Sequence, residues 1–313
     1  MSIMVTGGTG FIGARIIRKL ISRGEDVVCF DLVPPGSSLS DELDKMQVYR
    51  GDVTQIPHLL EAIITHKVHR IIHMGALLPP ASEDRPHFGM LVNIQGTNNV
   101  FEVARWTGIE RVVYASSISV YGPQEYYGAD PINEDDVPNP TNLYGMTKYV
   151  NDFSAANYIS KYGLDLRGIR ICTVFGHGRK TGATGMIGGL LMSLPAVGKP
   201  IDLPFDRSFP SSMIHAEDAA EIFVRTTLSK TLNHPVYISG GHIATVGDIV
   251  DTVRNILPDA QITTGDKLLP HLYKLDNSRM IADIGYELPP LRSSILYHIN
   301  EARTEAGMTA LES

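Results

Sequence analysis

An α/β fold, in which helices cover both faces of a parallel sheet and a smaller lobe follows, is predicted for this chain of 313 residues. Three observations carry that expectation. Apolar strands and helices alternate through the first half, a glycine-rich turn joins the first strand to the first helix, and the alternation breaks down after Gly176. Strands are expected at Ser2 to Thr6, Val27 to Phe30, Gln47 to Tyr49, Arg70 to His73, Arg111 to Ser116 and Asp165 to Thr173. Helices fall at Gly13 to Ser22, Ile56 to Thr65, Leu91 to Thr107 and Leu143 to Lys161. Beyond Gly176 a glycine-rich stretch reaches Gly189, and prolines interrupt Pro195 to Pro210. Pro235 to Gly240 reads as one more buried strand. Thr245 and Asp248 then form a capping box for a helix over Val246 to Leu257, which Pro258 stops. The remainder, to Ser313, is irregular with short helices. Residues 1–175, rejoined by 236–257, thus make up the main domain, and 176–235 with 258–313 make up a substrate lobe.

The turn itself reads Thr6-Gly7-Gly8-Thr9-Gly10-Phe11-Ile12-Gly13. Gly8 is placed to take a positive φ on leaving the strand, Gly10 to let the backbone approach a pyrophosphate, and Gly13 to let helix and strand pack closely. The helix amides and dipole then face the phosphates. The second strand ends at Asp31, an acid about twenty residues past the glycines, where it accepts both adenosine-ribose hydroxyls. Strand, turn, helix and acid together predict a Rossmann-type dinucleotide site. A carboxylate at Asp31, with no Arg or Lys following closely, repels a 2′-phosphate and favours NAD over NADP.

Bulk properties exclude other classes. A net charge of −7 speaks against nucleic-acid or anionic-membrane partners. No apolar run reaches membrane-spanning length and no signal segment leads the chain, so a cytoplasmic protein is expected. Cys29 and Cys172 lie in apolar runs and read as reduced core residues. His69 and His73 are four apart but lie on a strand, so no metal site is expected.

Tyr144 and Lys148 open a long helix four residues apart, so phenol and ammonium project from one face. A tyrosine with its ordinary pKa of about 10 is a poor base near neutrality. A neighbouring ammonium and an oxidised nicotinamide favour the phenolate and bring that value down. Ser117 ends a strand in the turn Ser116-Ser117-Ile118-Ser119, at the carboxyl edge where ligands of open α/β sheets bind. Its hydroxyl can donate to a substrate oxygen.

With these motifs in this order, the chain resembles the extended short-chain dehydrogenases/reductases of the NAD-dependent epimerase/dehydratase kind. Gly51-Asp52-Val53, His73-Met74-Gly75-Ala76 and Asn93-Ile94-Gln95-Gly96-Thr97-Asn98 add to the likeness. The resemblance implies that Gly7, Gly10, Phe11, Ile12 and Gly13 bind the cofactor with Asp31. It puts Asp52 and Val53 at the adenine, and Met74, Gly75 and Ala76 along the pyrophosphate and nicotinamide ribose. Ser117, Tyr144 and Lys148 would be the catalytic triad, with Lys148 also on that ribose and Asn93 organising the site. Tyr144 would take the proton of a substrate hydroxyl as hydride leaves the same carbon. The family's helices near Leu91 and Leu143 often meet across a two-fold axis, which implies a homodimer.

The reaction is narrowed by departures from the family pattern. The acid pair of a dehydratase is replaced by Ile118 and Ser119. Thr173 stands where a sugar epimerase carries its asparagine, and Ser211-Ser212, just before Met213 to Asp218, stand where it carries an arginine. Arg179, Arg207 and Arg279 could stand in, but off the motif. Ala76-Leu77-Leu78-Pro79 and Thr181 to Met186 look more like threonine 3-dehydrogenases, which makes Leu78, Ser119, Thr173, Thr184 and Met186 candidate substrate contacts. The expected activity is an NAD-dependent dehydrogenase acting on a secondary alcohol or ketone of a small polar substrate: a hydroxy acid, an amino acid or a sugar-like molecule. The alternative is a UDP-sugar 4-epimerase. A nucleotide-binding module without activity would lose the Tyr or Lys retained here.

Overall fold

The computed structural model describes residues 1–179 and 182–312. Seven strands form the large sheet: β1 (Ser2–Thr6), β2 (Asp26–Asp31), β3 (Gln47–Arg50), β4 (Val68–His73), β5 (Arg111–Ser117), β6 (Leu166–Ile171) and β10 (Val236–Ile238), in the order β10-β6-β5-β4-β1-β2-β3. Every pairing in it is parallel, as the strand–helix alternation predicts. The chain winds outward through β2 and β3, then crosses to β4 and the other half. The strand order therefore reverses between β1 and β4, which opens a crevice at the carboxyl edge. Thr6 pairs with Phe30 and His73 there, so the functional ends of three strands lie level.

The expected strand Asp165 to Thr173 is two strands. β6 ends at Ile171, and β7 (Thr173–Phe175) pairs instead with β9 (Pro210–His215), which also pairs with β11 (His242–Thr245). At the break the Cys172 amide donates to Ser239 Oγ at 3.1 Å rather than to a sheet partner. An apolar run carries no mark of the sheet it joins, so composition alone could not reveal the change. A third pair, β8 (Ile201–Phe205) with β12 (Ile262–Lys267), edges the second lobe.

Two helices are shared between the apolar clusters. The Ala216–Leu228 helix falls in the segment assigned to the lobe, yet Ala219, Ile222 and Phe223 join Ile16, Ile17 and Leu20 in the core of the large sheet. The Val246–Ile256 helix, assigned to the main domain, places Ile249, Val250 and Val253 with Leu191, Phe205 and Ile299 in the lobe core. Amphipathic spacing says that a helix has an apolar face, not which neighbour covers it. The capping box of that helix is formed, with Thr245 Oγ1 accepting from the Asp248 amide at 3.1 Å.

Candidate active site

The glycine turn sits at the amino end of the Gly13–Ser22 helix. Its left-handed residue is Gly7 (φ 65°), one position earlier than expected, and a Cβ there would lie 2.8 Å from the Gly75 nitrogen. Gly8 is instead a packing point, its Cβ position 2.9 Å from Cys29 Sγ and from Ile17 Cδ1. A Cβ on Gly13 would fall 2.1 Å from the Gly7 oxygen, so helix and turn touch backbone to backbone. Among the described residues no backbone carbonyl accepts from the Phe11 or Ile12 amides. Two free donors beside an exposed Gly10 at a helix amino terminus fit the pyrophosphate of a dinucleotide. Asp31 lies at the adjoining strand end, where Oδ2 accepts from the Thr9 amide (3.1 Å) and hydroxyl (2.7 Å). The sheet brings one base alongside: Arg50 pairs with Asp31 in register, and its Nε donates to the Leu32 oxygen at 3.2 Å.

Across the crevice, Asp52 accepts from the Thr54 amide, and Val53 touches the Cβ position of Gly75 at 3.5 Å. The Met74 amide donates to Thr6 O at 3.0 Å, and Ala76 follows in the same half-buried run. Asn93 is fully buried, and its Nδ2 lies 3.4 Å from Thr147 Oγ1 on the helix that carries Tyr144 and Lys148. Its Oδ1 accepts from the Leu77 amide (2.7 Å) and its Nδ2 donates to the Leu77 oxygen (2.9 Å), imitating a strand partner. It is therefore a positioning residue for the loop of 74–78. The expected helix from Leu91 opens with a π-helical turn, Leu91–Gly96, before the α-helix Thr97–Thr107. That wider turn frees the Asn93 carbonyl, which accepts from Thr97 Oγ1 (2.7 Å) and Asn151 Nδ2 (2.8 Å).

Ser117, Tyr144 and Lys148 come together at the end of β5. Asn142 caps the Leu143–Tyr162 helix by accepting from the Gly145 amide at 2.7 Å. Glu83, distant in sequence, accepts from the Tyr144 amide at 2.9 Å and fixes the same turn from outside. Lys148 is buried, donates to the Ala115 oxygen at 2.7 Å and lies 5.5 Å from the Tyr144 ring centroid. Burial pulls the ammonium down to about 8, against the pull of Asp152. Burial pushes the Tyr144 phenol up to about 12, while a bond from Ser117 and the charge of Arg179 draw it down. In the ligand-free protein desolvation wins, and the opposing cation is Arg179.

On the lobe side, Thr184 and Arg179 meet, with Arg179 Nη2 donating to Thr184 Oγ1 at 2.8 Å and Nη1 to the Val174 oxygen at 2.7 Å. Thr173 Oγ1 lies 3.4 Å from His271 Nε2. Ser119 accepts from Ser117 Oγ at 3.1 Å. Met186 begins a π-helical turn (Met186–Leu190) against the lobe core, and Leu78 is exposed on the rim. Thr181 lies outside the described residues. Sequence reasoning missed His271 and Glu83, which carry no motif, and saw Arg179 only as a phosphate contact.

Residues 3–237 match the NAD dependent epimerase/dehydratase family. A UDP-glucose 4-epimerase of Mycolicibacterium smegmatis is 28% identical over 231 residues, 72% of each chain. A D-erythronate dehydrogenase of Cupriavidus necator is 28% identical over 187 residues, 56% of this chain and 55% of its own. The solved structure of a GalE-like L-threonine dehydrogenase from Cupriavidus necator superposes with a TM-score of 0.84 at 22% identity, covering 96% of this chain and 99% of that one. The glycine turn, the acid at the end of β2 and the Ser–Tyr–Lys cluster have one common explanation: the chain belongs to the NAD dependent epimerase/dehydratase family.

Proposed function

We propose that this protein is an NAD-dependent dehydrogenase that interconverts a secondary alcohol and a ketone on a small, monoanionic polar substrate. One observation carries the reading against a nucleotide-sugar substrate. Arg179 is half-buried and lies close enough to lower the Tyr144 phenol, with no carboxylate bound to it among the described residues. The other two arginines that could have held a diphosphate are engaged, Arg207 with Asp251 and Arg279 with Asp135 and Glu134. A single guanidinium suits a carboxylate, whereas a diphosphate asks for several charged donors. Resemblance of the second lobe to threonine 3-dehydrogenases points the same way.

Gly7 to Gly13, Asp31, Asp52, Val53, Met74 to Ala76 and Lys148 would hold the dinucleotide. Bound NAD supplies the hydride acceptor. Tyr144 takes the hydroxyl proton of the substrate, and Ser117 donates to the same oxygen as its charge changes. Lys148 and Arg179 keep the local potential positive, which favours the phenolate and the substrate anion together.

The second reading, a UDP-sugar 4-epimerase, is supported by the relative of that name. A substrate panel scored for two outputs separates them: net NADH with free hydroxy acids, amino acids or aldoses for the dehydrogenase, and UDP-sugar interconversion without net NADH for the epimerase. A homodimer belongs to the same proposal. Phe88, Met90, Leu91, Met146 and Phe153 are exposed large apolar side chains on the stretches near Leu91 and Leu143, a pattern that suits pairing of copies. A cytoplasmic setting is supported by two buried free cysteines; no described helix is long and apolar enough to cross a membrane.

A further inference from the structure

Beyond Ser119 the site continues into a cleft of about 100 Å³ whose lining includes Ile118, Ser119, Asn142, His271 and Leu272. Space of that size takes a few heavy atoms, against about 300–1,000 Å³ for a drug-sized ligand. His271 lines it beside Pro270 and Leu272. The backbone there is fixed from both sides: the Gln124 amide donates to the His271 oxygen at 3.1 Å, and Gln124 Oε1 accepts from the Lys274 amide at 3.0 Å. Its Nε2 has two hydroxyl neighbours, Thr173 Oγ1 and Ser211 Oγ, both at 3.4 Å. Contacts that long are at the limit of a hydrogen bond and leave all three groups able to take a better partner.

We infer that His271 receives a second hydroxyl of the substrate, and that the substrate class is a short polyhydroxy carboxylate. The inference rests on the dehydrogenase reading above. Charge decides the class. Burial holds the His271 imidazole down to about 4, so at neutral pH it is uncharged and offers one donor and one acceptor, which matches a hydroxyl. No Asp or Glu lines the cleft among the described residues, and the cations Lys148 and Arg179 act on the Tyr144 phenol that the substrate must reach. An amino acid would bring its ammonium toward like charges without a counterion.

The test compares the wild type with His271→Leu and His271→Asn on two acids of equal chain length, 2,3,4-trihydroxybutanoate and 3-hydroxybutanoate. The selectivity ratio of the two kcat/KM values should fall about tenfold or more in His271→Leu and be partly retained in His271→Asn, which keeps a hydrogen-bonding side chain. Trihydroxybutanoate binding to the enzyme with NAD, measured by calorimetry, should weaken in parallel. A ratio within twofold of wild type in both variants, or a wild type that prefers L-threonine to the polyhydroxy acid, overturns the inference while the dehydrogenase stands. Interconversion of UDP-sugars without net NADH overturns both.

Discussion

At the scale of single residues the site is a contest between burial and charge at the Tyr144 phenol. Desolvation pushes it up to about 12, and the Ser117 bond and Arg179 charge oppose that rise. Because the deprotonated form is the base, alcohol oxidation should rise with pH along the acid limb of its profile, and ketone reduction should fall. Replacing Arg179 by Leu should move that limb to higher pH; a limb that stays in place would separate Arg179 from the phenol. Tyr144→Phe should abolish turnover with NAD affinity nearly intact, read by fluorescence titration. Asp31→Ala should weaken NAD binding and relax discrimination against NADP, all the more because Arg50 lies alongside. These residues were legible because each sits on a local motif. His271 was not, since nothing in its own segment announces the hydroxyls that β7 and β9 bring to it.

Elements explain why those side chains stand where they do. The glycine turn works by backbone contact, and at Gly13 the gap to the Gly7 oxygen leaves no room for a methyl group. Gly13→Ala should therefore lower NAD affinity at least about tenfold by shifting the helix amino terminus off the phosphates. The π-helical turn places Asn93 against the Leu77 backbone. Asn93→Ala would leave both Leu77 groups without that partner and should cost about 2 kcal/mol of unfolding free energy; denaturant titration would measure it. A spacing argument finds the helix in both cases. It misses the π turn because one inserted residue barely alters the apolar pattern.

Across the whole molecule, four histidines, His73, His215, His271 and His298, are held as neutral imidazoles by burial. Burial holds His73 and His215 down to about 3 and His271 to about 4, and pulls His298 well below its ordinary value. In the unfolded chain these groups titrate near pH 6.5, so the unfolded state binds more protons below that pH. Stability is then fully present above about 6.5 and is lost as pH falls toward the folded values. At pH 5 the expected loss is on the order of 2 kcal/mol for each of His73, His215 and His271, visible as a falling urea midpoint between pH 7 and pH 5. Phe153→Asp should yield a monomer by light scattering if the exposed apolar faces pair copies, and an unchanged mass would remove that surface from any dimer.

From the sequence by itself come the α/β class, the positions of most strands and helices, the glycine turn with its acid, and the tyrosine and lysine on one helical face. All of these are periodicities or short spacings, which local backbone geometry obeys wherever the segment ends up. Only the tertiary structure decided that the run at Cys172 changes sheets, that the helices from Ala216 and Val246 join different apolar clusters, and that Arg179 and His271 reach the crevice. Such outcomes depend on contacts between residues far apart in the chain, and a packed core settles those by shape and solvent exclusion, which no local pattern encodes.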